Sequence, residues 1–395
     1  MIARTRALGF TGAVLAVAAP TLYLAALFPP ELMLLDTTTA GGDLASHNYA
    51  AAWLRMLLLT EHRITGWVPG NYAGFPLFQM YFPLPFIGMV LLSLVLGANV
   101  AFKLTTVIGI LGLPLAAFLL LRRFRTPAPA PAVGASLMLL FLLQDGNTMW
   151  GGNVASTLAG EFTYSMSLLF ALAWFAVHDA AMTRPRAAAL GAVVVALLSL
   201  THAYTVLWIA AASGVAVLMR PHTVGSLARY VAVFTWGGAL CAFWLVPLVV
   251  YAPWTTAFRH LWVMSSVTEV LPRALWPVVA AAAVCPIVIR RRGIDAWRTY
   301  SGQVVLLHAG AIAAAVAYLA APNFGVVDIR FLPFLQLSVC LLAAVGAGHV
   351  LARWPAPVLA VPIVFLGTVL LVQGETERMS NWARWNYEGF ERKPL

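Results

Sequence analysis

The residues able to do chemistry gather in two polar stretches of an otherwise apolar chain. The first reads LLDTTTAGGDLASHNY. Asp43 follows Gly41-Gly42 and precedes a run that reads as helix from Leu44 to about Thr60. Asp43 and His47 stand four apart, so both lie on one face at the start of that helix. Asp36 comes seven residues earlier. The second stretch reads GNTMWGGNVASTLAGEFTYS, and Glu161 sits in it just inside the mouth of an apolar run. An acid at such a depth is costly and points to function by default. His202 lies past the end of another apolar run, and Arg330 opens one in VVDIRFLPF.

Carboxylates so placed can hold a divalent metal (Mg or Mn) or act as general base on an acceptor hydroxyl. Asp43, Glu161 and His47 are therefore the candidate catalytic residues, with Asp43 and Glu161 the candidate metal ligands. A guanidinium can hold a phosphate or pyrophosphate leaving group, which makes Arg330 a candidate substrate contact. Each residue also has a plain structural reading. Asp43 can cap its helix with His47 solvated. Glu161 can be an interfacial carboxylate open to water. His202 can be a hydrogen-bonded structural histidine. Arg330 can snorkel or pair with Asp328. There is no P-loop, no GxGxxG after a strand, no HExxH and no GxSxG. Nucleotide hydrolysis, hydride transfer and serine or zinc peptidase chemistry thus lack support.

The elements that must position these residues are membrane spans. Of 395 residues, 62% are hydrophobic and only 10% charged, against about 25% charged in a soluble domain. That balance excludes an ordinary soluble enzyme, a disordered chain and a disulfide scaffold. The net charge of +10 reads as cytoplasmic loop charge rather than as a nucleic-acid footprint. Cys241, Cys285 and Cys340 lie far apart in apolar stretches and read as small buried hydrophobes. An all-α polytopic membrane protein remains, with a transmembrane region over 1–373 and an outer-side tail over 374–395.

Apolar runs long enough for the bilayer give about eleven spans. They are 10–28, 100–121, 132–144, 160–178, 187–201, 203–219, 230–251, 273–289, 303–321, 330–352 and 356–373. The first reads as a retained span rather than a signal peptide. With the N-terminus inside, most arginines fall in inner loops, and of the acids only Asp179 and Asp295 do. The site then lies on the outer side, in a long first loop (29–99) and a second (145–160). Leu84–Leu96 is too short for a span and reads as an interfacial or re-entrant helix opened by Pro83 and Pro85. The junction at Thr201-His202 is either the mouth of an outer cavity or a tight hairpin. Lys103 reads as a charge that snorkels to the inner interface.

The segments GGDLASHNY, GWVPGNYAGFPLFQMYFPLPF, NVAFKLTTVIG, AGEFTYS and IRFLPF resemble a family of multi-spanning bacterial and archaeal membrane proteins. It is labelled "6-pyruvoyl-tetrahydropterin synthase-related", although nothing here resembles the soluble pterin enzyme. That family is similar in layout to the GT-C glycosyltransferases, which take sugar from a polyprenyl-phosphate carrier at the outer face. The resemblance implies a membrane lipid environment and a polyprenyl-phosphate sugar donor. It implies an acid in the first outer loop, matched by Asp43 or else Asp36, and a second acid at Glu161. It also implies an arginine at the lipid phosphate, matched by Arg330, with His202 beside it. Trp67, Tyr72 and Tyr81 would stack on sugar or line the lipid groove; as plain residues they are an interfacial aromatic belt. Members usually continue past a segment like WARWNYEGFERKPL into a soluble outer domain, so such a domain, or a separate protein, is an implied partner; nucleic acid is not. Three functions compete: a lipid-linked sugar transferase, a lipid or sugar transporter, and a catalytically silent scaffold in an envelope assembly.

Overall fold

A computed structural model describes residues 9–70, 73–219, 223–256, 262, 264, 266–354 and 356–393. About four-fifths of them are helical. The helices are α1 (Phe10–Ala25), α2 (Pro30–Met33), α3 (Leu44–Met56) and α4 (Leu84–Leu96). Next come α5 (Ala98–Arg123), α6 (Pro129–Leu142), α7 (Val154–Leu158), α8 (Phe162–Ala181), α9 (Pro185–Ser199) and α10 (Ala203–Leu218). The chain continues through α11 (Thr223–Leu240), α12 (Ala242–Tyr251), α13 (Val267–Val270), α14 (Trp276–Arg290) and α15 (Ile294–Ala320). It closes with α16 (Leu332–Leu351) and α17 (Ala360–Glu388). In the first loop, β1 (Gly66–Val68) pairs antiparallel with β2 (Phe75–Leu77), Trp67 opposite Pro76.

Six helical segments are long and apolar enough to cross a membrane, or seven if α11 and α12 count as one broken span. Five shorter apolar helices accompany them. The chain is thus an all-α, multi-pass membrane protein. α16 is its centre. It packs against α6, α14 and α15, and its apolar window is 89% buried, against 17% for α17. A helix apolar on every side and buried on every side needs no lipid face. Small residues let the central helices touch backbone to backbone. A Cβ on Gly348 of α16 would stand 2.9 Å from Ala130 Cα of α6. One on Gly109 of α5 would stand 2.3 Å from the Ser165 carbonyl carbon of α8.

Three sequence expectations need correction. The stretch 230–251 is not one straight span: the chain bends by 86° between α11 and α12. The bend has a use, because the Trp244 indole beyond it donates to the carbonyls of Phe78 (2.9 Å) and Tyr81 (3.1 Å), pinning the first loop. The last helix does not stop near 373 but runs on to Glu388. Lys103 does not snorkel. Its ammonium is fully buried and donates to the carbonyls of Leu35 (2.8 Å) and Tyr387 (2.7 Å) and to Thr37 Oγ1 (2.8 Å). It thereby ties the last helix to the first loop. The helix expected at 84–96 lies where the two prolines place it.

Candidate functional site

The two polar stretches meet at one end of the bundle, called here the loop end. Gly41 and Gly42 turn the chain with φ of +82° and +50°, a backbone region glycine enters without strain. This lets the Asp43 amide donate to the Ala159 carbonyl at 2.8 Å. The approach admits no side chains. A Cβ on Gly42 would fall 2.3 Å from the Ala159 oxygen, and one on Gly160 2.7 Å from Asp43 Cβ. Asn386 of α17 closes the knot, accepting from the Ala40 amide (2.9 Å) and donating to the Leu158 carbonyl (2.6 Å). Asp43 and Glu161 are thereby held beside each other by backbone contacts from three parts of the chain.

Asp43 stands at the N-cap position of α3, yet its side chain makes no capping bond. The carboxylate stays exposed and is not spent on the helix. Protein packed around it raises its pKa above the usual 3.8, the Glu161 charge raises it further, and the Arg330 charge opposes both. Glu161 precedes α8 and forms a two-pronged ion pair with Arg330, which precedes α16. Their side chains are only 13% and 14% exposed. The Arg330 guanidinium also lies 5.7 Å over the Tyr204 ring. The Arg330 carbonyl accepts from the Tyr164 hydroxyl at 2.7 Å. Arg330 pairs with Glu161, while Asp328 caps the turn at Ile329.

His47 sits one turn into α3, among the rings of Tyr81, Phe86 and Phe162. Burial lowers its pKa to about 4, so it is neutral near pH 7. The Tyr81 hydroxyl lies 3.3 Å from its Nε2. Burial and the Glu161 charge both raise the Tyr81 phenol above its ordinary value. His202 forms the next layer. It is 2% exposed and lies 4.8 Å from the Tyr164 ring and 5.5 Å from that of Tyr204, centroid to centroid. The Thr201-His202 junction is therefore packed with rings.

Asp43, His47, Glu161 and Arg330 thus form one cluster, with His202 behind it. Asp36 and Trp67 do not join. Asp36 is exposed and accepts from the Asn99 amide at 2.9 Å. Trp67 is 61% exposed on the hairpin, its ring against Gly74. Tyr72 lies outside the described residues. Tyr164, Tyr204, Trp244 and Asn386 were missed from the sequence. AGEFTYS carries Tyr164 three residues after Glu161, one helical turn on, which was the available signal for it.

The donor set bears on a metal. Among the described residues, no group of three His, Cys, Asp or Glu side chains stands ready for a cation. Both Glu161 oxygens face Arg330, so Asp43 is the carboxylate left to a cation. One carboxylate with substrate phosphates and water is a set that Mg2+ accepts.

No curated protein matches the chain. Residues 78–375 match the model of a family described as a 6-pyruvoyl-tetrahydropterin synthase related domain and as membrane proteins. Because that match covers well over half of the sequence, the chain belongs to this 6-pyruvoyl-tetrahydropterin synthase related family of membrane proteins.

Proposed function

We propose that the chain is a GT-C-like glycosyltransferase. It would move a sugar from a polyprenyl-phosphate carrier to an envelope acceptor, at the outer face of the cytoplasmic membrane. The observation that carries this reading is the cluster itself: an uncommitted carboxylate, Asp43, beside a nearly buried guanidinium, Arg330. The acceptor hydroxyl bonds to the sugar's anomeric carbon and gives its proton to Asp43. The bond from that carbon to the carrier phosphate breaks, and its electron pair stays on the phosphate, which Arg330 holds. A carboxylate with a raised pKa is the stronger base for this step. Neutral His47 and Tyr81 wall the acceptor side, and His202 backs the ring layer under Arg330. Asp36 and Trp67 take no step. A divalent cation, Mg2+ or Mn2+, on Asp43 and the carrier phosphate would supply further charge for the leaving group. Glu161 would join it only by releasing Arg330.

In this reading the loop end faces outward, with the N-terminus inside and the C-terminus outside. The exposed arginines 122, 123, 184, 186, 290 and 291 support that orientation. An outer acceptor-recognising domain or protein would dock on the loop end.

The test uses the purified chain in liposomes with polyprenyl-monophosphate hexoses and pentoses and an envelope extract as acceptor. Mass spectrometry follows release of polyprenyl phosphate, with and without Mg2+ or Mn2+. Release from at least one carrier is expected. No release from any of them overturns the reading.

One observation favours a second reading, a catalytically silent scaffold. Glu161 and Arg330 neutralise each other, and their pair ties α8 to α16. If that is their whole role, an apolar pair of similar volume should serve as well.

A further inference from the structure

We infer that a cavity at the loop end binds an uncharged, hydroxyl-rich ligand of the oligosaccharide class. The cavity measures about 800 Å³ and is walled by residues just past the end of α6, by α13 and the turn after it, and by the middle of α17. That is the size of a site for a small ligand. Gln144, Asp145, Trp150, Glu269, Arg273 and Glu375 line it.

Its charge argues against a phosphate. Three acids line it against Arg273, and Arg378 of α17 pairs with Asp145 and Glu375. Three carboxylates thus face two guanidiniums, which leaves no cationic excess to hold a carrier phosphate, so this cavity is not a second donor site.

Its buried polar groups say what it wants. Gln144 is 3% exposed. Its amide nitrogen donates to the Phe141 carbonyl (3.2 Å) and to Gln336 Oε1 (2.7 Å). Gln336 in turn donates to the Val270 carbonyl at 2.7 Å. These bonds fix which way the Gln144 amide lies and leave Oε1 without a partner among the described residues. Trp150 is 1% exposed, and its indole N–H likewise has no partner among them. Two residues of one wall thus carry a spare acceptor and a spare donor, each atom with under 1 Å² of accessible surface and buried at a cost unless met. A hydroxyl is donor and acceptor at once, and a sugar carries several.

The place is also telling. Trp150 packs in one cluster with Val327, Ile329 and Leu332. Gly151, next in sequence, lies against the Tyr164 ring, whose hydroxyl holds the Arg330 carbonyl. The cavity and the Glu161–Arg330 pair therefore share a wall. Naming the ligand as the acceptor rests on the transferase reading; the binding itself does not.

The experiment titrates short gluco-, manno-, galacto- and chito-oligosaccharides onto the full chain in nanodiscs. Binding is read by saturation-transfer NMR and tryptophan fluorescence. Saturable binding of at least one class is expected. Gln144→Ala and Glu269→Gln should each weaken it by roughly tenfold or more, and Arg122→Gln, exposed at the opposite end, should not. Glu269 is exposed, so that variant decides the matter if Gln144→Ala does not fold. Three results overturn the inference: no saturable binding, as a water-filled vestibule would give; binding indifferent to both variants; or displacement by polyprenyl monophosphate. Retained oligosaccharide binding with no carrier consumed would sink the transferase reading alone.

Discussion

At the loop end, Lys103, Glu161 and Arg330 are buried or nearly so, and each is held by named partners. At the opposite end, Arg122, Arg123, Arg184, Arg186, Arg290 and Arg291 are exposed. The same helices thus treat charge in two ways. Exposed arginines at a helix end cost little and bind nothing in particular; their number reports topology. Buried charges carry a desolvation cost of several kcal/mol each, which only close partners offset. Where a chain this apolar keeps such charges, they have work to do, and all three stand near Asp43 or the segments that hold it.

The comparison breaks most readily at Arg330. Arg330→Ala leaves Glu161 nearly buried without its partner and should cost about 3–5 kcal/mol. Thermal unfolding in detergent would read it. The double replacement Glu161→Leu with Arg330→Met should recover most of that loss. On the transferase reading it stays inactive; on the scaffold reading it keeps the assembly.

Lys103 comes next. Lys103→Met removes the charged donor from the Leu35 and Tyr387 carbonyls, leaving them the Thr37 amide and the Thr37 hydroxyl, and should cost about 1.5–3 kcal/mol for each charge-assisted bond lost. Hydrogen exchange should rise over 383–388 and 35–40 together, because Lys103 joins those segments. A rise in only one of them would contradict the tie.

The pH dependence at Asp43 is a smaller effect with a definite sign. Folding raises its pKa above 3.8, so it favours the protonated form. Its contribution to stability is present below 3.8 and is lost as pH rises through the folded value. Turnover runs the other way. On the transferase reading it needs the carboxylate and should fall as pH drops through that raised value. Asp43→Asn should remove this feature from the stability profile, seen as unfolding temperature against pH. At the far end, Arg122→Gln should change stability by no more than about 0.5 kcal/mol and leave turnover untouched.

The parts legible in the sequence are those written locally. Apolar runs placed the helices, and two prolines marked the start of α4. An acid in an apolar run marked Glu161. What escaped is set by distant contacts. The 86° bend falls at Cys241, past Gly237-Gly238, and its reason is the first-loop segment that Trp244 holds. Lys103 read as a snorkelling charge because its partners come from segments far away in sequence. Asn386 sat in what read as a tail, yet it closes the knot around Asp43. The Glu161–Arg330 partnership spans 169 residues, and no periodicity carries it.

The most direct test asks whether Asp43 serves chemistry or folding. Its side chain makes no capping bond, so Asp43→Asn should keep unfolding temperature and yield near the wild type. In the same preparation, release of polyprenyl phosphate should fall by roughly 10²- to 10⁴-fold, the usual loss on removing a general base. A stable Asp43→Asn chain that turns over at the wild-type rate would contradict the role given to Asp43.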